Sequence, residues 1–578
     1  MTDEDIRAGT WELIRALHAT RSALGDLAPA SDLWNLVANK LAGYNAHLES
    51  WFATAAATHR ALLESRSAPA NLLLHAATGL YPQESLLHEM VRREGGAVVH
   101  LRGAAHARRL LARHHPPWSA SPEYVPLEVP LQSAACGAVA PTTPSNGSVV
   151  FVGSMSNYFN PMLPLINALV QRGTPCLVVA PRESRAWSTT ARLDTRATLV
   201  CFEDLISEPL WQRLGREQQR FRERWPTVAA AVSEAISFKG ISLWPLVATD
   251  VERTLADYLP QACVFREAGR MLGALVGAKV VVTARLRRVA DGAVALGLKD
   301  AGARCIVLPH GHIAPDPRSE FGAGSFEMAD VVAAWGPDQA RTLAERMRGD
   351  CEPEKVLVTG NPEWEALRAR RPSTQPRTEI RRIITEQFRV EPAPRLGVII
   401  SQPVGPALLR HALEGCTGVS GWRFLVKAHP GDDQSTVAQL VDSARAAGAN
   451  AGLAPHGSID LHDLLGGADV SVVFSSTANV ESLLVGTPVI TLDLPELNAF
   501  QRHPKFENFG LPLARSAAEL RQKLESIEAW APGIESGMRA ALAAMTPGPD
   551  APPAIDRLVE LIESTLGAPD ATLRTGKS

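Results

Sequence analysis

The sequence predicts an α/β protein of two doubly wound lobes, each on a parallel sheet, with a mainly helical N-terminal extension. Three observations predict it. Short apolar runs rich in Val and Ile recur at 149–152, 175–180, 280–283, 304–308, 395–401, 422–427, 470–474 and 489–492. Runs of that length, apolar at most positions and without alternation, read as strands buried on both faces. Between many of them lie segments with apolar residues at three- and four-residue steps, stopped by Gly or Pro, which read as helices. Finally, 578 residues exceed what one core can hold, so two or three domains are expected.

Composition narrows the class. A hydrophobic fraction of 46% with mean hydropathy −0.03 describes a globular chain, and a net charge of −3 gives no reason to expect nucleic acid. No apolar run is long enough to span a membrane, and the acidic start MTDEDIRAGTWELIRAL has no apolar signal core. A cytoplasmic protein is expected. Seven cysteines without a CxxC pair argue against a disulfide framework, and Cys176 and Cys305 read as small buried hydrophobes.

In chain order, 1–115 reads as helices, with a strand at 97–101 also open. This region serves as a cap or a homo-oligomer contact, or docks an acceptor. A Pro-, Ser- and Ala-rich linker covers 116–147, and the first lobe covers 148–345. There a strand at 149–152 leads through a loop at 153–160 to a helix at 161–172 with Pro161 in its first turn. The stretch 182–260 reads as mostly helical. Its basic, aromatic segment 211–225 is a solvated amphipathic face or, alternatively, a peripheral contact with the inner face of the membrane. A helix over 291–301 begins with Asp291 and Gly292, and the strand 304–308 ends in PHGHIAPDP. Two histidines, His310 and His312, at a strand tip stand where α/β enzymes place chemistry, although a histidine that only caps the strand fits equally.

The second lobe covers 346–530, and 531–578 supplies a helix that returns to the first lobe and a polar tail. Residues 371–394 read as a charged connection. Two strand ends matter most. WRFLVKAHPGDD ends a strand with Lys427, His429 and Pro430, while Asp432 and Asp433 read as solvated. Then ADVSVVFSSTANVESLLVGTPVITLDL runs from a strand through Ser475, Ser476 and Thr477 into a helix stopped by Gly486 and Pro488. Any of the three hydroxyls can cap that helix, and its N-terminus can take an anion. An ordinary cap is the plainer account of the same residues.

These two segments resemble the HP and SS/T motifs of bacterial sialyltransferases, capsule-type glycosyltransferases and CDP-glycerol glycerophosphotransferases, which share the GT-B fold of two Rossmann-like lobes. The resemblance covers about 148–530. It implies that Lys427, His429, Pro430, Ser475, Ser476 and Thr477 bind the donor phosphate and that Glu481 holds the ribose. His310 matches the histidine assigned as base in the CDP-glycerol enzymes. Asp291 followed by Gly292 resembles the acidic-glycine motif of some sialyltransferases and is the rival base. Where some GT-B enzymes carry a catalytic histidine, this chain has Tyr158. Asn157, Tyr158 and His312 are then acceptor-side candidates, and a packed loop tyrosine is the alternative for Tyr158.

The resemblance implies a metal-independent glycosyltransferase that uses a nucleotide sugar, CMP-linked by the pairing of KAHP with FSST, as co-substrate rather than cofactor. The acceptor is a cell-surface or capsular glycan or glycolipid. Polyol-phosphate transfer from CDP-glycerol, UDP-sugar 2-epimerisation and non-catalytic glycan binding are the alternatives. SSTANVES departs from the epimerases' serine-glycine-glycine, double-glutamate pattern.

Overall fold

The computed structural model describes residues 148–567, apart from short stretches, chiefly 243–251, 312–327, 347–352, 370–376 and 495–505, and single positions that include Pro430 and Ser475. The expectations for 1–147, Pro430, Ser475 and His312 therefore lie outside the described residues. The described part divides into two compact units, the first holding 148–307, 328–330 and 565–567 and the second 308–311 and 331–564.

The first unit carries strands β1 (Val149–Val152), β2 (Cys176–Ala180), β3 (Thr198–Cys201), a short hairpin of β4 (Ser237–Phe238) and β5 (Ile241–Ser242), β6 (Val280–Thr283) and β7 (Arg304–Val307). Apart from the hairpin they lie parallel in the order β3-β2-β1-β6-β7. The strands are buried at nearly every position, which is why their sequences are unbroken apolar runs rather than alternations. Helix α1 (Ser156–Gln171) departs from expectation by starting before Pro161 and carrying Pro161 and Pro164 inside it. Burial of Tyr158, Phe159 and Met162 on the sheet offsets the lost amide bonds, so Asn157 and Tyr158 lie on a helix and not in a loop. The region read as mostly helical contains β3 as well as α2 (Glu208–Ala235), whose Phe221 and Trp225 are buried and stacked at 5.3 Å. Two aromatics of that basic segment thus belong to the core, while Trp211 is half-buried. No described helix is long and apolar enough to cross a membrane.

Helices α3 (Leu259–Val276) and α4 (Val289–Asp300) cross with their backbones almost in contact. A methyl built on Gly297 would stand 1.9 Å from the Arg266 carbonyl oxygen, and one on Gly269 2.3 Å from that of Val294. Only hydrogen fits at both positions.

The second unit begins with a parallel pair, β8 (Val331–Ala334) and β9 (Val356–Val358), and helices α5 (Pro337–Arg346) and α6 (Pro362–Ala369). The charged connection contains α7 (Arg377–Gln387), which buries only Ile380 and Ile384. Six further strands follow: β10 (Arg395–Ile400), β11 (Trp422–Lys427), β12 (Ala451–Ala454), β13 (Val470–Val473), β14 (Val489–Leu492) and β15 (Leu513–Ala514). They form a parallel sheet in the order β12-β11-β10-β13-β14-β15. Leu396, Val398 and Ile400 of β10 face one apolar layer and Ile399 the other, with Phe424 and Val472. The covering helices are α8 (Pro406–Cys416), α9 (Gln434–Ala446), α10 (Leu461–Gly467), α11 (Ala478–Val485), α12 (Ala517–Glu525), α13 (Ile527–Trp530) and α14 (Glu535–Met545), and α15 (Ala554–Gly567) follows them in the chain.

The chain leaves β10 toward β11 and β12, then returns to the other side of β10 as β13. In such a sheet the crevice at the carboxyl ends of the strands flanking this reversal is where a ligand sits. Cys176 of β2 and Cys305 of β7 are buried, as expected for small hydrophobes, and so is Cys416 of α8. Burial raises the thiols of Cys176 and Cys305 to about 12, and that of Cys416 still further.

Gly297→Ala should destabilise the protein by about 3 kcal/mol through overpacking. Urea unfolding followed by circular dichroism checks it, and an unchanged midpoint would contradict the close crossing of α3 and α4.

Candidate functional site

The second sheet brings three strand ends to one edge. Ile400 of β10 pairs with Lys427 on one side and Val473 on the other, so the exits of β11 and β13 stand about 10 Å apart across β10. At the exit of β13 the chain turns at once into α11. The turn is held from beneath by Asn479, whose Nδ2 donates to the Phe474 carbonyl at 2.9 Å and whose Oδ1 accepts from Thr491 Oγ1 at 3.3 Å. Asn479 is fully buried, and beside it Ser471 Oγ donates to Ser482 Oγ at 2.8 Å. The sequence reading missed this asparagine, although a buried amide just past a strand-to-helix turn is a signal that could have marked it.

The hydroxyls behave unequally. Ser476 Oγ accepts from the Ala478 amide at 3.3 Å, while Thr477 occupies the cap position in helical conformation and makes no side-chain cap bond. The amide of Asn479 closes on the Ser476 carbonyl and those of Val480 and Glu481 on the Thr477 carbonyl. An anion at this end would therefore meet the backbone ahead of Ala478 and the two half-buried hydroxyls.

The exits of β10 and β11 are knotted together. Ser401 Oγ accepts from the His429 amide at 2.9 Å and donates to Asp432, which also accepts from the His429 amide at 2.9 Å. Asp433 caps α9, receiving the amides of Ser435 at 3.2 Å and Thr436 at 3.3 Å. Bonds from Thr436 and Ser435 hold its carboxyl below the usual range. Both aspartates, read as solvated, thus fix the loop that carries the exposed His429. Lys427 is buried and donates to the Pro455 carbonyl at 3.1 Å; burial lowers its pKa, which the Asp460 charge partly opposes. It braces two strand ends. Glu481, on the first turn of α11, lies 3.5 Å from His462 Nε2.

His310 and Gly311 pack within this same unit. Buried Gln339 accepts from the Trp335 amide at 2.6 Å and donates to the Gly311 carbonyl at 3.1 Å. Gly311 lies against α11: a methyl built on it would stand 3.9 Å from Thr477 Oγ1. Gln339 was also missed; its partner is 28 residues away and nothing local announces it.

In the first unit Asp291 is fully buried, and its Oδ2 accepts from the Ser154 amide at 3.2 Å and hydroxyl at 3.0 Å. It thus anchors the segment after β1. Tyr158 is buried in the core and Asn157 is exposed.

A cavity of about 720 Å³ opens at the opposite, amino edge of the second sheet, lined by Arg377, Arg395, Asp469 and Glu528 among others. Its cations are engaged, Arg377 with Asp469 at 2.8 Å and Arg395 with Glu528, so the carboxyl edge remains the candidate. Among the described residues, no group of three or more His, Cys, Asp or Glu is arranged to hold a metal ion.

With this geometry in view, the chain resembles solved structures of two kinds. A glycosyltransferase from Rickettsia africae is 11% identical, with a TM-score of 0.46 over 74% of this chain and 100% of that one. A UDP-GlcNAc 2-epimerase from Neisseria meningitidis, bound to UDP-GlcNAc, is 10% identical with a TM-score of 0.46, over 73% and 99% of the two chains. Anabaena HepE, in complex with UDP-glucose, is 14% identical with a TM-score of 0.43, over 72% and 99%. No family model and no curated protein matches the chain.

Asn479→Ala should cost roughly 1–3 kcal/mol, because the Phe474 carbonyl and Thr491 hydroxyl lose their buried partner. Chemical denaturation measures it; a loss within error would mean that water replaces the amide and the turn does not depend on it.

Proposed function

We propose that the protein transfers a glycosyl group from a nucleotide-activated sugar to a glycan or glycolipid hydroxyl, with the nucleotide bound by the second unit. One observation supports this above the others: the His310–Gly311 loop lies against Thr477 at the start of α11. A candidate base and a candidate phosphate site thus occur in one rigidly braced neighbourhood.

In this reading His429 and the backbone and hydroxyls at Ser476–Thr477 receive the donor phosphate, joined by Ser475 and Pro430. Their positive potential grows in value as the bond from the sugar C1 to the phosphate oxygen breaks and charge collects on the leaving group. Glu481 accepts from the ribose hydroxyls. Lys427 contributes its charge from beneath, through a side chain bound to Pro455. The acceptor oxygen attacks C1 and loses its proton to His310, whose ordinary pKa lies close to working pH. Asp291 is the weaker choice of base, being fully buried and occupied by Ser154. Exposed Asn157, with His312, is proposed on the acceptor side, and Tyr158 serves packing. The donor base is proposed as cytidine, from the pairing of KAHP with FSST.

A thermal-shift panel of CMP, CDP, UDP, GDP and ADP tests the donor. A ligand at a hundred times its dissociation constant stabilises the native state by about 2.7 kcal/mol. Cytidine nucleotides are expected to give the largest shift. Uridine nucleotides binding more tightly would move the donor to a UDP-sugar and leave the phosphate site standing.

His429→Ala should weaken nucleotide binding by about ten- to a hundredfold, the loss of one charge-assisted bond to phosphate. Unchanged affinity in both His429→Ala and Ser476→Ala would remove the phosphate assignment.

His310→Asn should lower turnover by roughly a hundredfold while leaving nucleotide affinity within a factor of two. Turnover that survives this change but falls in Asp291→Asn would transfer the role of base to Asp291.

A further inference from the structure

Asp460 and His462 stand between two residues of the proposed donor site and have no part in it so far. His462 lies on α10, which packs beside α11, and its side chain is 21% exposed. Its Nε2 is 3.5 Å from Glu481 Oε2 and its Nδ1 is 3.9 Å from Asp460 Oδ1. Asp460 caps α10, accepting from the amides of His462 at 2.9 Å and Asp463 at 3.2 Å. It is also the carboxylate that opposes the desolvation of Lys427. Lys427, Asp460, His462 and Glu481 therefore form a chain of cation, anion, imidazole and anion.

The surroundings of the imidazole are acidic. Glu363, on the first turn of α6, adds its charge to those of Glu481 and Asp460, and Asp463 sits on the same helix as His462. On α7, which packs against α10, Arg377 and Arg381 bond the Gly467 carbonyl at the far end of α10, and α6 carries Arg368 in its last turn. Burial alone would depress the imidazole, but the bond to Glu481 and the three carboxylate charges reverse this and raise its pKa above the ordinary value.

We infer that His462 is a positioning residue whose proton holds the Glu481 carboxylate toward the ribose, so that nucleotide affinity is proton-linked. This rests on the reading of Glu481 as the ribose ligand. Imidazolium carries a proton on both nitrogens, so Nε2 faces Glu481 as a donor while the ring's charge attracts Asp460 at 3.9 Å, and Glu481 Oε1 is left to accept from a ribose hydroxyl. Neutral imidazole keeps one proton and loses the charge that attracts both carboxylates, so its hold on Glu481 weakens. The sign follows from a raised pKa: the pair is complete below the ordinary imidazole value and is lost as pH rises through the raised one. A bound phosphate adds negative charge nearby and favours the proton further, so affinity falls with rising pH.

Calorimetric titration of the full chain with CDP, and separately with UDP, at pH 7 and pH 9 tests this. Wild type is expected to bind roughly tenfold more weakly at pH 9, the factor carried by one pKa unit of linkage. His462→Gln should bind near the weaker level at pH 7 and change less than wild type between the two pH values. Whatever other groups contribute is common to both proteins, so the difference between the two profiles belongs to His462. A flat wild-type profile, or a pH dependence as steep in His462→Gln as in wild type, overturns the inference. If Glu481→Gln binds as wild type does, the ribose assignment fails and the inference with it. A wild type that binds neither nucleotide overturns the donor site as a whole. Should His462→Gln fail to fold, the NMR titration of His462 in Glu481→Gln decides. A midpoint lowered by the substitution supports the pairing, and an unchanged midpoint overturns it.

Discussion

A strand hydrogen-bonded on both edges and covered on both faces has polar freedom only at its ends. β10 is such a strand: its neighbours are β11 and β13, and its side chains fill two apolar layers. Everything in the second unit that can meet a ligand is therefore forced to the strand tips. There the backbone must turn sharply without leaving buried amides and carbonyls unpaired. Asn479 and Ser401 answer that requirement, one under the turn into α11 and the other between the exits of β10 and β11. The candidate site is a by-product of satisfying the sheet's ends.

The two edges of this sheet are treated oppositely. At the amino edge Asp469 accepts from the Leu396 amide and is met by Arg377 and Arg381, which also cap the carbonyl end of α10. Buried Arg423 bonds Thr385, and burial lowers its pKa. Guanidinium groups there are committed to helix and loop carbonyls and serve cohesion. At the carboxyl edge His429 is exposed and Ser476 and Thr477 are half-buried, and the turns that carry them are held by the side chains of Ser401, Asp432 and Asn479.

Much of the architecture was legible because buried parallel strands leave unbroken Val- and Ile-rich runs. What escaped had physical reasons. β3 exposes its first residue, β15 has two residues, and α7 buries two isoleucines among charges, so none presents a full apolar pattern. Pro161 read as a helix start because its lost amide bond is visible in sequence, whereas the burial of Tyr158 and Phe159 that outweighs it is tertiary. At the site, His429 and the serine-threonine stretch stood out as polar residues at strand ends. Gln339 and His462 did not, since each acts on a partner far along the chain and a single such residue on a helix has no local signature.

The buried thiols give the molecule an internal clock. Cys176 and Cys305 belong to the sheet of the first unit and Cys416 to a helix of the second, and in each the thiolate that reacts with alkylating reagents is suppressed by burial. Reagent can reach them only when the surrounding element opens. The rate at which each sulfur is modified thus dates the opening of its own unit, without any label having to be introduced.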